Sequence, residues 1–361
     1  MVKILALGDI MLGDQPFSFG FGIRSKLNQG KKIVDEEVIK YLSEFDLVIG
    51  NLESPLCPKK KYENDTIDNF SMRGDLKGLE LLKKMEVNVV SIANNHIMEH
   101  GDKVFENTLT ELDLAGVVHI GSKKNPYHIF NIGSKKVALL GWSMVEENFS
   151  NPANMKYNFT KDYLSIVSEL ENISEDFDYA VLSLHWGSEF VNVPSKEQIE
   201  TADNLLKNGF DLIIGHHPHV LQPIVKRDYG IVAFSMGNFI FDYWMNDTNK
   251  TGIIEVDLEK MENKFIPCEI DKKSFLTKFT DYFEIGAMHE YSLTDYNKIS
   301  IKKRKNFRLS AMVHFIKNLH RYQKRSLIKI IKWGFNRILY IISVRKLVHG
   351  NPGIIYLGPR K

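Results

Sequence analysis

The sequence predicts an α/β fold whose functional residues gather along one edge of its sheets. Three observations lead there. Short apolar runs, read as buried strands, alternate with segments of helical periodicity. Most of these runs end in a polar word: Gly8-Asp9, Gly50-Asn-Leu-Glu53, Ala93-Asn-Asn-His96, His185-Trp-Gly187, Gly215-His-His-Pro-His219 and Ser235-Met-Gly-Asn238. A hydrophobic content of 43% over 361 residues supplies a large core. In α/β sheets ligands bind outside the carboxyl ends of the strands, so words far apart in the chain converge at one edge.

Taken in order, residues 2–8 form the first strand. The run Val2–Leu7 is too short for a signal-peptide core or a membrane span. Cys57 and Cys268 are the only cysteines and make no disulfide framework, so a reducing, cytoplasmic setting is expected. A helix over 35–45 leads to a strand at 46–49, a helix over 75–85 to a strand at 88–92, and a helix over 102–114 stops at Gly116. The Lys59–Lys61 run reads as solvated loop. A hairpin turns at Gly133-Ser134, and a helix near 160–172 precedes a strand at 179–184. A helix over 196–207, stopped by Asn208-Gly209, leads to the strand Leu212–Ile214. Strands at 231–234, 251–258 and 264–270 close the body. Residues 1–272 are read as one domain and 273–361 as a basic, largely helical region.

The richest stretch is Asp211 to Pro223. Three histidines in four residues at a strand end are costly to bury unless they hydrogen-bond, titrate or bind metal. His217 and His219 are two apart, and in an extended segment they would point the same way toward one ion, with His216 turned away. From this stretch alone a metal site and a hydrogen-bonded polar turn both stay open. The other words also have plain readings: Asp9 as a turn cap, Glu53 as a loop residue, Asn95 and His96 as a turn, and His185 as a core histidine.

The words in this order resemble the bacterial capsule-synthesis (CapA-type, poly-γ-glutamate capsule) family, itself similar in fold to calcineurin-like metallophosphoesterases. The resemblance spans roughly residues 2–245 and is carried chiefly by Asp211–Pro223, supported by Gly50–Pro55, Ala93–His96 and Ser235–Asp242. It implies a two-sheet α/β sandwich of the metallophosphoesterase type. It also implies one or two divalent ions (Mn, Zn or Fe) held by Asp9, Glu53, Asn95, His185, His217 and His219. His96 would serve the leaving group as a catalytic acid, while Arg73 and Asn238 would meet substrate. The ligand types suit these metals independently. Two departures stand out: Met11 replaces the histidine of the Asp-x-His word usual in such phosphoesterases, and Glu53 stands where they commonly have Asp. Glu99 also stands where the capsule family often has Asp.

Sixteen of the 47 Lys and Arg residues and none of the 45 Asp and Glu lie in 301–361, leaving residues 1–300 with a formal charge of −14. Within 327–347, polar residues recur at helical spacing on an otherwise apolar surface, which fits a basic amphipathic helix on an anionic membrane surface at the inner face. Packing of that helix on the acidic body is the competing reading. No specific nucleic-acid binding is expected, because the aromatics form no stacking platform. The function expected is that of a metal-dependent hydrolase acting on an anionic capsule or cell-surface polymer or a phosphorylated substrate. A non-catalytic scaffold and a general cytosolic phosphoesterase are the alternatives.

Overall fold

The computed structural model describes residues 2–58, 71–146, 154–281, 283, 285–286, 288–289, 291–322, 327–328 and 331. Fourteen strands form two sheets among these residues. They are β1 (Lys3–Ile10), β2 (Val48–Leu52), β3 (Val89–Ser91), β4 (Val118–Ile120), β5 (Tyr127–Ile132), β6 (Lys135–Ser143) and β7 (Tyr179–His185). There follow β8 (Leu212–His216), β9 (Ile224–Arg227), β10 (Gly230–Ala233), β11 (Asn238–Ile240), β12 (Lys250–Asp257), β13 (Glu262–Ile270) and β14 (Thr277–Phe279). The first sheet runs β14-β13-β12-β1-β2-β3-β4, with β11 also on β1; the second runs β5-β6-β7-β8-β10-β9. β1–β4 pair in parallel, as do β6, β7, β8 and β10, so their carboxyl ends share an edge within each sheet.

Seven α-helices accompany them among the described residues: α1 (Ile23–Asn28), α2 (Glu36–Leu42), α3 (Leu76–Lys84), α4 (Asp102–Ala115), α5 (Tyr163–Glu171), α6 (Lys196–Lys207) and α7 (Leu293–Lys317). Side-chain oxygens of Asp35, Asp75 and Asp162 cap α2, α3 and α5, and Ser195 with Gln198 forms a capping box on α6.

Alternation along the strands sets the layers. Ile4 and Ala6 of β1 pack with Val137, Leu139, Val181, Leu212 and Ile214, filling the space between the two sheets. Leu5 and Leu7, on the opposite face of β1, share a core with Val38, Leu82, Phe105 and Leu112 of α2–α4. On the far side of the second sheet, Ala138, Leu182 and Ile213 meet Ile166, Leu170, Ala202 and Leu205 of α5 and α6. The result is a helix–sheet–sheet–helix sandwich, the two-sheet architecture expected.

Of the segment 327–347 only Leu327, Ile328 and Ile331 are described, so the predicted amphipathic helix lies otherwise outside the described residues, as does the Lys59–Lys61 run. Among the described residues no helix is long and apolar enough to cross a membrane.

Candidate metal centre

Asp9 comes from the end of β1, Glu53 follows β2, Asn95 and His96 follow β3, His185 ends β7, and His217 and His219 follow β8. Close backbone approach makes this convergence possible. A Cβ on Gly8 would lie 2.3 Å from the Gly237 carbonyl oxygen, and one on Gly215 only 2.0 Å from that of Phe234. A side chain at either position would force the strand ends apart.

The histidine stretch departs from its expected geometry. β8 ends at His216, and His217 (φ 95°) and His219 (φ 58°) take left-handed backbone conformations instead of continuing extended. Such residues cost about 1–3 kcal/mol each and persist where their surroundings over-determine them. Here the His217 N–H donates to Asp9 Oδ2 at 3.2 Å, and the His219 ring Nδ1 lies 2.9 Å from Asn238 Oδ1. A turn, not strand alternation, presents the two imidazoles, whose ring centroids are 6.0 Å apart.

Asp9 is buried and accepts from Asn51 Nδ2 at 2.8 Å; His216 Nδ1 lies 3.0 Å from its Oδ1 and His219 Nδ1 3.3 Å from its Oδ2. Glu53 is different. It is wholly buried, yet among the described residues neither carboxylate oxygen has a hydrogen bond. Its Oε1 lies 3.6 Å from His219 Nε2 and 3.9 Å from the Nε2 atoms of both His185 and His96. His185 Nε2 is 2.7 Å from Asn95 Oδ1. Two overlapping sets share Glu53: Asp9, Glu53 and His219, and Glu53, His185 and His217. Within each set one potential ligand atom per residue lies within 4.8 Å of the others.

These residues fit a divalent cation. A buried carboxylate without hydrogen bonds is expensive, and His217 Nδ1 is likewise buried without a hydrogen bond among the described residues. Carboxylate oxygens with imidazoles suit Mn, Zn or Fe. The supporting groups also point this way: His219 turns Nδ1 to Asn238 and leaves Nε2 facing Glu53, the arrangement by which an outer partner fixes a ligand tautomer.

Without a cation the charges settle differently across the set, with Glu53 and His219 as a proton-sharing pair and His185 and His217 neutral. Burial pushes the Glu53 carboxyl up to about 8. Burial also works to lower His219, but the Glu53 and Asp9 carboxylates outweigh it and hold that imidazole at about 9. Asp9 stays well below the usual carboxylate range, because hydrogen bonds from His216 and His219 overcome its burial. Burial lowers His217 to about 4 and His185 well below its ordinary value, keeping both neutral as metal ligation requires.

The remaining predicted residues fall around this set. His96, partly exposed, turns Nε2 toward Glu53 while its Nδ1 lies 2.8 Å from Glu99 Oε2, so the glutamate reaches the imidazole despite its extra methylene. Asn238, expected to meet substrate, is fully buried: its Oδ1 faces the His219 ring and its amide donates to the His219 and Thr248 carbonyls. It holds a ligand candidate in place. Arg73 is buried close to His100, whose Nε2 lies 2.8 Å from the Ser71 carbonyl oxygen, and its charge helps to lower that imidazole, after the larger effect of burial. Met11 is buried, with its Sδ 3.1 Å from the Gly13 amide.

Two residues escaped the sequence reading. Asn51 links Asp9 to His185, donating to Asp9 Oδ1 while its Nδ2 lies 3.3 Å from His185 Nδ1; within Gly50-Asn-Leu-Glu53 an asparagine carries no local signal that separates it from a turn residue. Glu189, two residues past His185-Trp-Gly187, lies within electrostatic reach of the centre. Burial works to raise its carboxyl, and the charges of His217, His219, His96 and Arg304 bring it below its ordinary value.

The family model described as bacterial capsule synthesis protein matches residues 3–243. The PGA biosynthesis protein CapA of Bacillus subtilis is 27% identical over 261 residues, covering 70% of this chain and 67% of that protein. The capsule biosynthesis protein CapA of Bacillus anthracis is 28% identical over 264 residues, covering 70% of this chain and 62% of that one. The chain thus spans about two thirds of the length of these relatives. Among solved structures, a putative 5'-nucleotidase from Staphylococcus aureus is similar at 13% identity and a TM-score of 0.48, covering 84% of this chain and 58% of that one. A 5'-nucleotidase precursor from Thermus thermophilus is also 13% identical, with a TM-score of 0.41, covering 74% of this chain and 54% of that one.

Proposed function

The chain belongs to the bacterial capsule synthesis protein family, and on that premise we propose that it is a metal-dependent hydrolase acting on an anionic cell-surface polymer of the poly-γ-glutamate type. One observation carries the metal-dependent part: Glu53, buried without hydrogen bonds, faces the imidazoles of His96, His185 and His219. Asp9, Glu53, Asn95, His185, His217 and His219 would hold the ion or ions. A bound divalent cation supplies Lewis acidity for hydrolysis of a phosphoester or amide.

The chain's own residues do the rest. Asn51 and Asn238 orient His185 and His219, and the layers of apolar side chains behind them exclude water. His96, whose Nδ1 lies against the Glu99 carboxylate, presents Nε2 at the edge of the centre, and in its doubly protonated form the ring can pass the Nε2 proton to a leaving group. The polymer rests on family membership and the names of the relatives; the residues themselves specify only a hydrolysable electrophile.

The test is elemental analysis of the purified protein beside a His217→Ala/His219→Ala variant. About one or two equivalents of Mn, Zn or Fe in the wild type, and a loss of roughly tenfold or more in the variant, are expected. A metal-free protein that added metal does not stabilise would refute the reading. That outcome favours a scaffold that binds polymer without turning it over, to which Met11, engaged with the Gly13 amide in place of a histidine ligand, gives independent weight.

A further inference from the structure

Helix α7 has two working faces. Its inner face carries Tyr296, Ser300, Phe307, Ala311 and His314 toward the body. Phe307 stacks on Phe190 with ring centroids 4.3 Å apart, and Trp244 stacks on His314 at 4.1 Å and donates to Ser310. Phe190 in turn lies 6.1 Å from the His219 ring. The helix is therefore docked on the wall of the metal centre.

The outer face should then be plain polar surface, and it is not. Leu309, Met312, Val313 and Ile316 are 60%, 54%, 41% and 57% exposed. Their spacing of three, four and seven residues puts them on one stripe of the helix. The same stripe continues toward the N-terminus as Lys302 and Lys305, and Arg308 and Lys317 flank it; Lys298, one turn further on, is paired with Asp295 at 3.1 Å. Apolar side chains on both faces leave the helix with little net amphipathicity, so this second face is hidden from a reading of periodicity alone.

We propose that this outer face of α7 is a docking surface for an anionic lipid bilayer, with Leu309, Met312, Val313 and Ile316 entering the interface and the lysine row lying among the headgroups. Charge selects this occupant. Residues 301–361 contain no Asp or Glu, so neither the remaining tail nor the same stretch of a second copy brings acidic side chains to neutralise the row. A bilayer containing phosphatidylglycerol provides both the negative surface and the apolar layer beneath it. Docked this way, the helix would hold the wall of the metal centre close to the membrane surface.

The experiment is sedimentation of the full chain with vesicles of phosphatidylglycerol and phosphatidylcholine, against vesicles of phosphatidylcholine alone. Binding to the first set only, weakening as salt is raised, is expected. Lys302→Glu/Lys305→Glu should lower vesicle affinity by roughly thirtyfold, at about fivefold or more for each lysine. Leu309→Ser/Met312→Ser/Ile316→Ser should abolish sedimentation while leaving the thermal melt of the body in place, because these side chains contact solvent in the free protein. Unchanged binding in both variants would mean that another surface docks. Self-association without lipid that the serine variant abolishes would mean that a second copy covers the stripe. Either result overturns the proposal.

Discussion

Asp242 offers a sharp test of what burial does to a carboxyl in this fold. It closes the word Ser235–Asp242 and is wholly buried. One carboxylate oxygen accepts from the Gln15 backbone N–H at 3.0 Å and from the Ser18 hydroxyl, while the other has no hydrogen bond among the described residues. Burial first, and the neighbouring Asp14 carboxylate second, raise its carboxyl to about 7. The native state therefore holds a proton that the unfolded chain releases near pH 4. Stability from this group is fully present below the unfolded value and is lost as pH rises toward the folded one.

At about 1.4 kcal/mol per pKa unit, a shift of roughly three units corresponds to about 4 kcal/mol, most of it lost between pH 4 and pH 7. Asp242→Asn removes the titration. Urea unfolding of both proteins in chelator should show the wild type losing roughly 3 kcal/mol more than the variant between pH 5 and pH 8. The absolute offset also contains the altered bonds to Gln15 and Ser18, so the difference in slope is the measurement. Parallel pH profiles would show that Asp242 enters the fold already ionised, and the account of its burial would fail.

Two further outcomes follow from named contacts. Glu99→Ala removes the acceptor at His96 Nδ1 and should cost about 1–2 kcal/mol, with the imidazole shifting from a single Nδ1–H tautomer to a mixture in ¹⁵N spectra; an unchanged tautomer would show that something else orients the ring. Phe307→Ala takes away a half-buried ring stacked on Phe190 and Trp244 and should loosen α7 by about 2 kcal/mol, raising the rate of proteolysis within 293–317 by roughly thirtyfold, whereas unaltered protection would mean that the helix is held elsewhere.

The sandwich was legible because its strands obey simple rules. β1, β7 and β8 are apolar runs long enough to be buried on both faces, and a polar word closes each. β4, β11 and β14 are three residues long and β9 is four, and the sequence reading passed them over. β3 is equally short but lies between a helix and a polar word, which marks it, whereas these four have no such frame; β14 is extended because it completes the edge of β13, a tertiary cause. The outer stripe of α7 was missed for the opposite reason, since two apolar faces cancel in any one-face pattern.

At the metal centre the limit of legibility is one of direction. Residue types and their order bring Asp9, Glu53, His185, His217 and His219 to one edge, and chemistry alone suggests what such a set can hold. What each side chain faces depends on backbone that periodicity does not encode. The left-handed turns at His217 and His219 exist because Asp9 bonds the first through its amide and Asn238 meets the second through its ring. Asp9 in turn is held by His216, the histidine expected to turn away from the other two, and by Asn51, which looks incidental in the sequence. Amide and imidazole partners thus secure Asp9 and the two strained histidines, while Glu53 receives no hydrogen bond from any of them. Glu53 and the His217 Nδ1 atom are therefore the buried polar groups of this set left without hydrogen bonds among the described residues, and a cation between them would satisfy both.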